Sequence, residues 1–397
     1  MSWLRGALGY WMVVGFALLA AVPFLPYRSA SIYATQAIPV LCFVILALGL
    51  NVVVGYTGLL HLGIAAFFGI GAYTAGVLTT TAFPFGSSFV VVAVVSALAA
   101  AAVGVATTAP TLRLRGDYLA LVTLGFGLIT IYVIRNLAGI TDGTQGLTPV
   151  APNLLPGVED PVLPTPRFGW KDSWRKYPYL YYLCLGLLAA VVVFLRNLER
   201  SRLGRAWVAL REDELAASCM GLNPAKLKLS AIALGAGLAG LAGALFAVSQ
   251  NGTTEPKAYG FERSMIALCC VILGGLGNRP GVILGVALLV GYDQILTPLL
   301  DNWLQAQKVN PNGKEYLKVS GWRLCIFGLA LILMMRLRPE GLLPAARQKR
   351  ELHPEADEAA GEAAARAEVS GPAPEDKGPP KTEIGKPAAG DGKAAPP

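Results

Sequence analysis

The residues of this chain that could do chemistry are a few polar side chains set inside long apolar runs. Asn51 and His61 interrupt such runs, and Asp293 is the only carboxylate well inside one. Polar groups at such positions are costly unless they are paired or line a path for a polar solute. We interpret all three as candidate path residues. The alternatives are helix bridging for Asn51, a satisfied histidine for His61 and a structural pairing for Asp293.

Glycines and hydroxyl residues extend this candidate set. A glycine lets helices approach closely or break, and backbone N–H groups freed where a half-helix starts suit a carboxylate. Helix packing is the alternative reading of each glycine, and it is the prediction for Gly235, Ala239 and Gly243, which are spaced by four. The candidate path residues are Asn51, Gly55, Gly58, His61, Gly63, Thr141, Gly143, Thr144, Gly146 and Asp293.

Enzyme chemistry is not indicated. The chain has two histidines, one of them in the C-terminal tail, and lacks HExxH and GxSxG patterns. Its six cysteines fall mostly inside apolar runs without zinc or redox spacing. It also lacks a GxxxxGK[ST] loop, so we expect no cofactor on this chain and any ATP hydrolysis on a separate subunit.

Composition identifies the class of protein. Of 397 residues, 54% are apolar and only 15% charged, with a mean hydropathy of +0.53, a balance that favours an integral membrane protein. The net charge of +8 is uneven: residues 351–397 hold 10 acidic and 5 basic residues, which leaves an excess of 13 positive charges in residues 1–350. That excess is typical of loops retained in the cytoplasm, and no soluble basic face for nucleic acid is evident.

Apolar runs and breakers predict an all-α polytopic bundle of about ten transmembrane helices, some of them broken or short. The eighth is too short to cross alone, and it and the ninth are interpreted as halves of a broken or re-entrant element. Placing the basic clusters on the cytoplasmic side predicts that both termini are cytoplasmic. The predicted spans are 10–25, 37–54, 59–81, 89–110, 118–136, 179–195, 229–249, 264–276, 281–299 and 322–336.

Domain organisation follows from the same patterns. Residues 1–345 are predicted to form the transmembrane domain, with a cytoplasmic loop at 201–224 inside it. Residues 346–397 are rich in Ala, Pro, Glu, Lys and Gly, which predicts a disordered cytoplasmic tail. The Pro-rich stretch 149–178 is expected to form an ordered outer loop or an interfacial segment.

The loop at 201–224 is unusually polar for this chain. Residues 205–220 are predicted to form one helix of ~24 Å outside the bilayer. Trp207, Leu203 and Leu210 are expected to anchor it to the bundle, which leaves Arg211, Glu212 and Glu214 for a partner. The alternative is a solvated loop whose charges only fix the topology.

Several stretches in order carry a resemblance to a known family. They are LGLNVVVGYTGLLHLGIAAFFGIGAYTAGVL from residue 48, RLRGDYLALVTLGFG from 113, ITDGTQGL from 140, GRAWVALREDELAASCMGLNPAKLKLSAIALGAGLAGLAGALFA from 204 and VILGGLGNRPGVILG from 271. Together they cover roughly residues 40–340 and resemble the permease subunits of branched-chain amino-acid ABC importers, in particular the longer, LivM-like type.

The resemblance implies that residues 201–224 contain a coupling helix that docks on a cytoplasmic ATPase. It also implies a second permease subunit, an extracytoplasmic binding protein and a place in the bacterial cytoplasmic membrane, where the chain would move branched-chain amino acids or related small polar solutes by alternating access. An ion-coupled secondary transporter is the alternative. The implied coupling residues are Gly204, Arg205, Ala209, Arg211, Glu212, Ala216, Ala217 and Gly221.

The chain departs from the family pattern at three polar positions. The family often begins its third span with Ser-Leu-Gly-His, whereas this chain has His61-Leu62-Gly63-Ile64, which predicts an imidazole on a neighbouring helical face. Leu128 replaces a family-typical glutamate, and TDGTQG at 141–146 replaces TGGTNG.

Overall fold

The computed structural model describes residues 27–80, 85, 87–112, 116–148, 173–250, 252–253, 255–306, 319–338 and 341–343. The predicted first span at 10–25, most of the loop at 149–178 and the tail at 346–397 lie outside these residues. The chain divides into two units, Met1–Lys349 and Arg350–Pro397, and the described residues all belong to the first.

The described residues contain α-helices and short 3-10 or π-helical turns. The α-helices are α1 Tyr27–Asn51, α2 Ile64–Thr79, α3 Phe89–Thr108, α4 Gly116–Asn136, α5 Ala138–Thr141, α6 Ser173–Arg200, α7 Arg202–Glu212, α8 Glu214–Cys219, α9 Pro224–Gln250, α10 Phe261–Gly274, α11 Arg279–Gly291, α12 Thr297–Ala306 and α13 Arg323–Leu337. Two π-helical turns, Val52–Tyr56 after α1 and Tyr292–Leu296 between α11 and α12, continue those helices.

Within the described residues, six helices are long and apolar enough to cross a membrane. They coincide with the predicted spans at 37–54, 89–110, 118–136, 179–195, 229–249 and 281–299. Their ranges are Gln36–Tyr56, Phe89–Thr111, Tyr118–Asn136, Leu180–Arg200, Pro224–Gln250 and Arg279–Asp301. The predicted all-helical membrane fold is therefore supported, whereas a total of about ten spans stays a prediction.

Helix α9 forms the centre of the bundle and packs against α1, α2 and α3. Small residues make this close packing possible, because their backbones can touch. A methyl group on Gly235 would lie only 2.8 Å from the carbonyl oxygen of Gly49, and one on Gly243 would collide with the backbone of Phe68. The predicted packing role of these two glycines is confirmed.

The predicted span 59–81 is wrong at its start. Helix α2 begins only at Ile64, and residues 58–63, which we call the unwound segment, are not helical. Gly58 has a φ of +71°, a left-handed conformation that ends the preceding helical turn. His61 therefore lies in the unwound segment and not on a neighbouring helical face.

The apolar composition of the unwound segment gave no sign of this break. Its backbone N–H groups find hydrogen-bond partners within the protein, so the segment needs no polar sequence. The N–H of Leu62 donates to Thr123 Oγ1 of α4 at 3.2 Å, and the N–H of Gly63 donates to His61 Nδ1 at 3.3 Å. Irregular backbone is tolerated at membrane depth when protein groups supply such partners.

Helices α2 and α10 are both short, at 16 and 14 residues, so they are ~24 and ~21 Å long. Their first turns meet, since the N–H of Ala65 donates to Ser264 Oγ at 3.0 Å. The eighth predicted span is thus confirmed as short.

Helix α10 and the next helix form a hairpin. Gly275 and Gly277, with φ of +112° and +78°, turn the chain so that α11 packs back against α10, with the backbones of Gly274 and Gly281 in contact. Because α11 reverses direction and the segment Arg279–Asp301 is long enough to cross alone, α10 and α11 are not halves of one straight broken span.

Candidate coupling site and substrate path

The polar stretch between α6 and α9 forms two helices rather than the single predicted helix. Asp213 interrupts it with φ −153° and ψ 113°, and its Oδ1 accepts the N–H groups of Leu215 at 2.8 Å and Ala216 at 3.0 Å. An aspartate that caps a helix in this way satisfies orphan donors of the first turn. We call residues 201–222, which contain α7 and α8, the coupling element.

One face of α7 is fixed to the bundle. Trp207 is fully buried, and its indole Nε1–H donates to the carbonyl oxygen of Leu227 and to Ser230 Oγ, both at 3.1 Å. Leu210 is also buried. Leu203, expected to share this role, is 44% exposed, so that part of the prediction is wrong.

The residues implied as coupling positions occupy different environments. Gly204 and Ala217 are buried, and a methyl group on Gly204 would lie 2.8 Å from Glu199 atoms, so both positions pack inside the subunit. Ala209 and Arg211 are partly exposed. The exposed positions are Arg205, Glu212, Ala216 and Gly221.

Two exposed apolar side chains of the coupling element escaped the sequence analysis. Leu215 is 74% and Met220 84% exposed, and both belong to the short stretch around α8. The sequence signal for this exposure was the pair of helix-ending residues Asp213 and Gly221. They enclose a helix that is too short to bury both of its faces. Together, Leu215 and Met220 leave apolar surface exposed on an otherwise polar element.

Gly221 ends this stretch with a specific turn. Its φ is +82°, and the N–H of Leu222 donates to the carbonyl oxygen of Ala217 at 3.1 Å. This six-to-one bond around a left-handed residue is the Schellman ending, which favours glycine.

A cleft of about 450 Å³ lies between the coupling element, the start of α9 and the end of α3. The Lys228 ammonium and the Glu214 carboxylate pair across it at 2.6 Å. The remaining lining residues are Leu112, Ser218, Gly221, Leu222, Asn223, Pro224 and Ala225.

The end of the first helix meets the coupling element at the same end of the bundle. Arg211 Nη1 donates to the carbonyl oxygen of Gly55 at 2.6 Å. Asn51 is fully buried, and its Oδ1 accepts the N–H of Gly277 at 2.9 Å. Asn51 therefore joins the end of α1 to the turn between α10 and α11, and Gly55 permits this contact, because a methyl group there would lie 2.7 Å from the Gly277 nitrogen.

A partly buried ion pair adjoins this contact. The Arg279 guanidinium lies 2.6 Å from the Glu199 carboxylate, and the Tyr56 hydroxyl donates to the same carboxylate. These three groups join the ends of α1, α6 and α11. Sequence analysis missed them because the partners are far apart in the chain.

Gly63 lines two small cavities: one lies between α2, α3 and α4 and is also lined by His61, and the other lies between α2, α4 and α10. Each cavity has a volume of about 10 Å³, which is room for one water at most. Thr107, Thr123 and Thr130 line the first cavity, and Ser264 lines the second. An amino acid does not fit in either cavity.

The residues predicted at 141–146 lie elsewhere. Thr141 Oγ1 donates to the carbonyl oxygen of Ile134 at 2.6 Å, and Gly143 and Gly146 have φ of +61° and +74°. The following Leu147 pairs with Thr253 through two hydrogen bonds, at the end of α2 opposite to its first turn. Thr144 is exposed. The predicted path residues thus form separate groups and not one site.

Asp293 belongs to neither group. It lies in the π-helical turn between α11 and α12, is partly exposed, and its Oδ2 accepts Gln294 Nε2–H at 3.0 Å. This is a local polar contact within one turn, and a path role for Asp293 remains a prediction.

The chain is similar to known proteins over most of its length. The model of a family described as "Branched-chain amino acid transport system / permease component" matches residues 32–335. The chain is 37% identical over 352 residues to the high-affinity branched-chain amino acid transport system permease protein LivM of Escherichia coli K12, which covers 86% of this chain and 76% of that protein.

Less similar relatives are also permease proteins of branched-chain amino acid transport systems. The chain is 26% identical over 313 residues to BraD of Pseudomonas aeruginosa, which covers 76% of this chain and 91% of BraD. It is 24% identical over 306 residues to LivH of Salmonella typhimurium, with the same two coverages. No solved structure matches the chain. A family match over most of the apolar bundle and a relative of this identity place it: the chain belongs to the permease components of branched-chain amino acid transport systems.

Proposed function

We propose that this chain is the membrane-spanning permease subunit of an ATP-driven importer that moves branched-chain amino acids or related small polar solutes by alternating access. One observation carries the proposal: a polar two-helix element is fixed by Trp207 to one end of an apolar bundle and presents Leu215 and Met220 to solvent. The relatives named above are permease proteins of branched-chain amino acid transport, which supports the solute class.

The exposed part of the coupling element is suited to docking on a cytoplasmic ATPase subunit. Protein contacts gain most of their affinity from a few apolar anchors enclosed by a polar rim. Leu215 and Met220 supply the anchors, and Arg205 and Glu212 supply exposed charges on the neighbouring helix. Since the chain has no phosphate-binding loop, the hydrolysis of ATP belongs to that partner.

The bundle also offers surface to lipid and to a second permease subunit. Leu98 of α3 and Leu121 and Tyr132 of α4 are each at least 60% exposed, which suits a hydrocarbon environment or another helix. A heterodimer with a second permease, a binding protein on the outer side, location in the bacterial cytoplasmic membrane and cytoplasmic termini complete the proposal. Nucleic acid has no part in it.

Import requires that ATP binding favour one state of the bundle over another. A partner shifts such an equilibrium only by its difference in affinity for the two states, and a change from mostly closed to mostly open takes roughly 5 kcal/mol. The closed cavities beside His61 and Gly63 are consistent with one end of that equilibrium.

The test is to tag the chain, extract it from its own host in mild detergent and identify the copurifying proteins by mass spectrometry. We expect ATPase subunits with the parent and strong depletion with Leu215→Ala/Met220→Ala. Leu329→Ala is the matched control, because Leu329 is an exposed apolar residue of α13 remote in sequence from the coupling element. A solitary parent chain that still takes up leucine under an ion gradient would support the ion-coupled carrier instead.

A further inference from the structure

Arg211 belongs to the coupling element but points into the bundle. Its Nη1 donates to the Gly55 carbonyl at 2.6 Å over 156 positions of sequence. Its aliphatic stem covers Gly58, where a methyl group would lie 3.1 Å from Arg211 Cγ. The side chain thus contacts the residues on both sides of the start of the unwound segment.

The Gly55 carbonyl is a natural acceptor for this contact. Gly55 lies in the last turn of the π-helical end of α1, and carbonyl groups in the last turn of a helix have no partner within it. A hydrogen bond from a charged donor to such a group is stronger than one between neutral groups. The contact therefore ties the end of α1 to the coupling element.

The unwound segment leads from this contact to the closed cavities. Only two residues separate Gly58 from His61, which lines the first cavity. Gly63 lines both cavities and immediately precedes the first residue of α2. The segment is held at its far end by Thr123 of α4 through the N–H of Leu62. A displacement at Gly55 and Gly58 thus acts on a short, non-helical piece of chain whose other end borders the cavities.

Resting on the function proposed above, we infer that Arg211 is a positioning residue that transmits movement of the docked coupling element to the unwound segment. Its role is then internal to the permease and differs from that of exposed residues such as Glu212, which lie beside it in sequence. Arg211 need not touch the ATPase to be required for transport.

The test separates docking from transmission. Arg211→Gln and Arg211→Lys are expressed in a strain of the host that lacks its own copy, and three quantities are compared with the parent: the ATPase subunits that copurify, the ATPase activity of the purified complex, and uptake of radiolabelled leucine by cells. Arg196→Gln is the matched control, since Arg196 is an exposed arginine of α6 outside the coupling element.

We expect Arg211→Gln to keep copurification and ATPase activity within about twofold of the parent while leucine uptake falls on the order of tenfold, the loss typical of one charged hydrogen bond. Arg211→Lys keeps the charge and one donor, so uptake should be intermediate. Arg196→Gln should match the parent in all three.

Two results would overturn the inference. Loss of copurification in Arg211→Gln would make Arg211 a docking residue, and uptake within about twofold of the parent would make it dispensable. Failure of the parent itself to bring down an ATPase would instead remove the proposed function, so the two failures are distinguishable.

Discussion

Trp207 provides the sharpest test of how the coupling element is attached. In Trp207→Phe the indole N–H is lost, but the Leu227 carbonyl keeps a hydrogen bond from the Ser230 hydroxyl at 2.8 Å. The carbonyl is not left unpaired, so the cost should be at the low end for a hydrogen bond, about 1 kcal/mol. In Trp207→Ala a fully buried ring is replaced by a cavity, at a cost of about 3–5 kcal/mol.

These costs should appear as local opening of the coupling element. Trypsin cleaves after arginine, and the exposed Arg202 and Arg205 become substrates when α7 unfolds. If closing is fast relative to cleavage, the cleavage rate follows the open population. We therefore expect cleavage to be about fivefold faster in Trp207→Phe than in the parent, and at least about a hundredfold faster in Trp207→Ala.

An exposed tryptophan in another helix provides the control. Trp303→Ala removes an exposed indole from α12 and should leave cleavage in α7 unchanged. Equal cleavage rates in the parent and Trp207→Ala would show that the buried indole does not hold the element, and the argument from burial and hydrogen bonding would fail.

Three other predictions concern the turn, the core and the tail. Gly221→Ala forces a Cβ into the left-handed region, at a cost of about 1–2 kcal/mol, and should weaken copurification of ATPase subunits, with Gly221→Asn milder. Gly71→Val should sharply lower the yield of folded chain in detergent gel filtration, because a Cβ on Gly71 collides with the Gly240 backbone, whereas Gly125→Ala, with open space around it, should not. Deletion of residues 352–397, which carry no apolar pattern, should leave leucine uptake nearly unchanged, and its complete loss would refute a passive tail.

The spans could be predicted from sequence wherever one local property decides them. Long apolar runs gave Gln36–Tyr56 and Pro224–Gln250 because length and hydropathy are read directly from neighbouring residues. The start of α2 could not be found this way. Residues 59–63 are as apolar as a helix requires, and what keeps them unwound is a positive φ at Gly58 and a donor-acceptor pair with Thr123 that is 61 positions away.

The same difference between local sequence properties and long-range contacts applies to the candidate site. Helical periodicity identified Trp207 and Leu210 as anchors, since burial on one face of a helix repeats with a local spacing. Charge alone suggested that Arg211 and Glu212 serve one surface. The structure separates them, because the acceptor for Arg211 is a main-chain carbonyl, a group that every residue carries and that no side-chain pattern reveals.

In the mechanism proposed above, the break at Asp213 separates the docking residues from the transmitting residue. Leu215 and Met220 lie on the α8 side of this break, whereas Trp207 and Arg211 lie on the α7 side. A force applied to α8 can reach Gly55 only if the joint between the two helices is stiff. Asp213 stiffens it twice, since its carboxylate caps α8 and its own N–H donates to Ala209 of α7 at 3.2 Å.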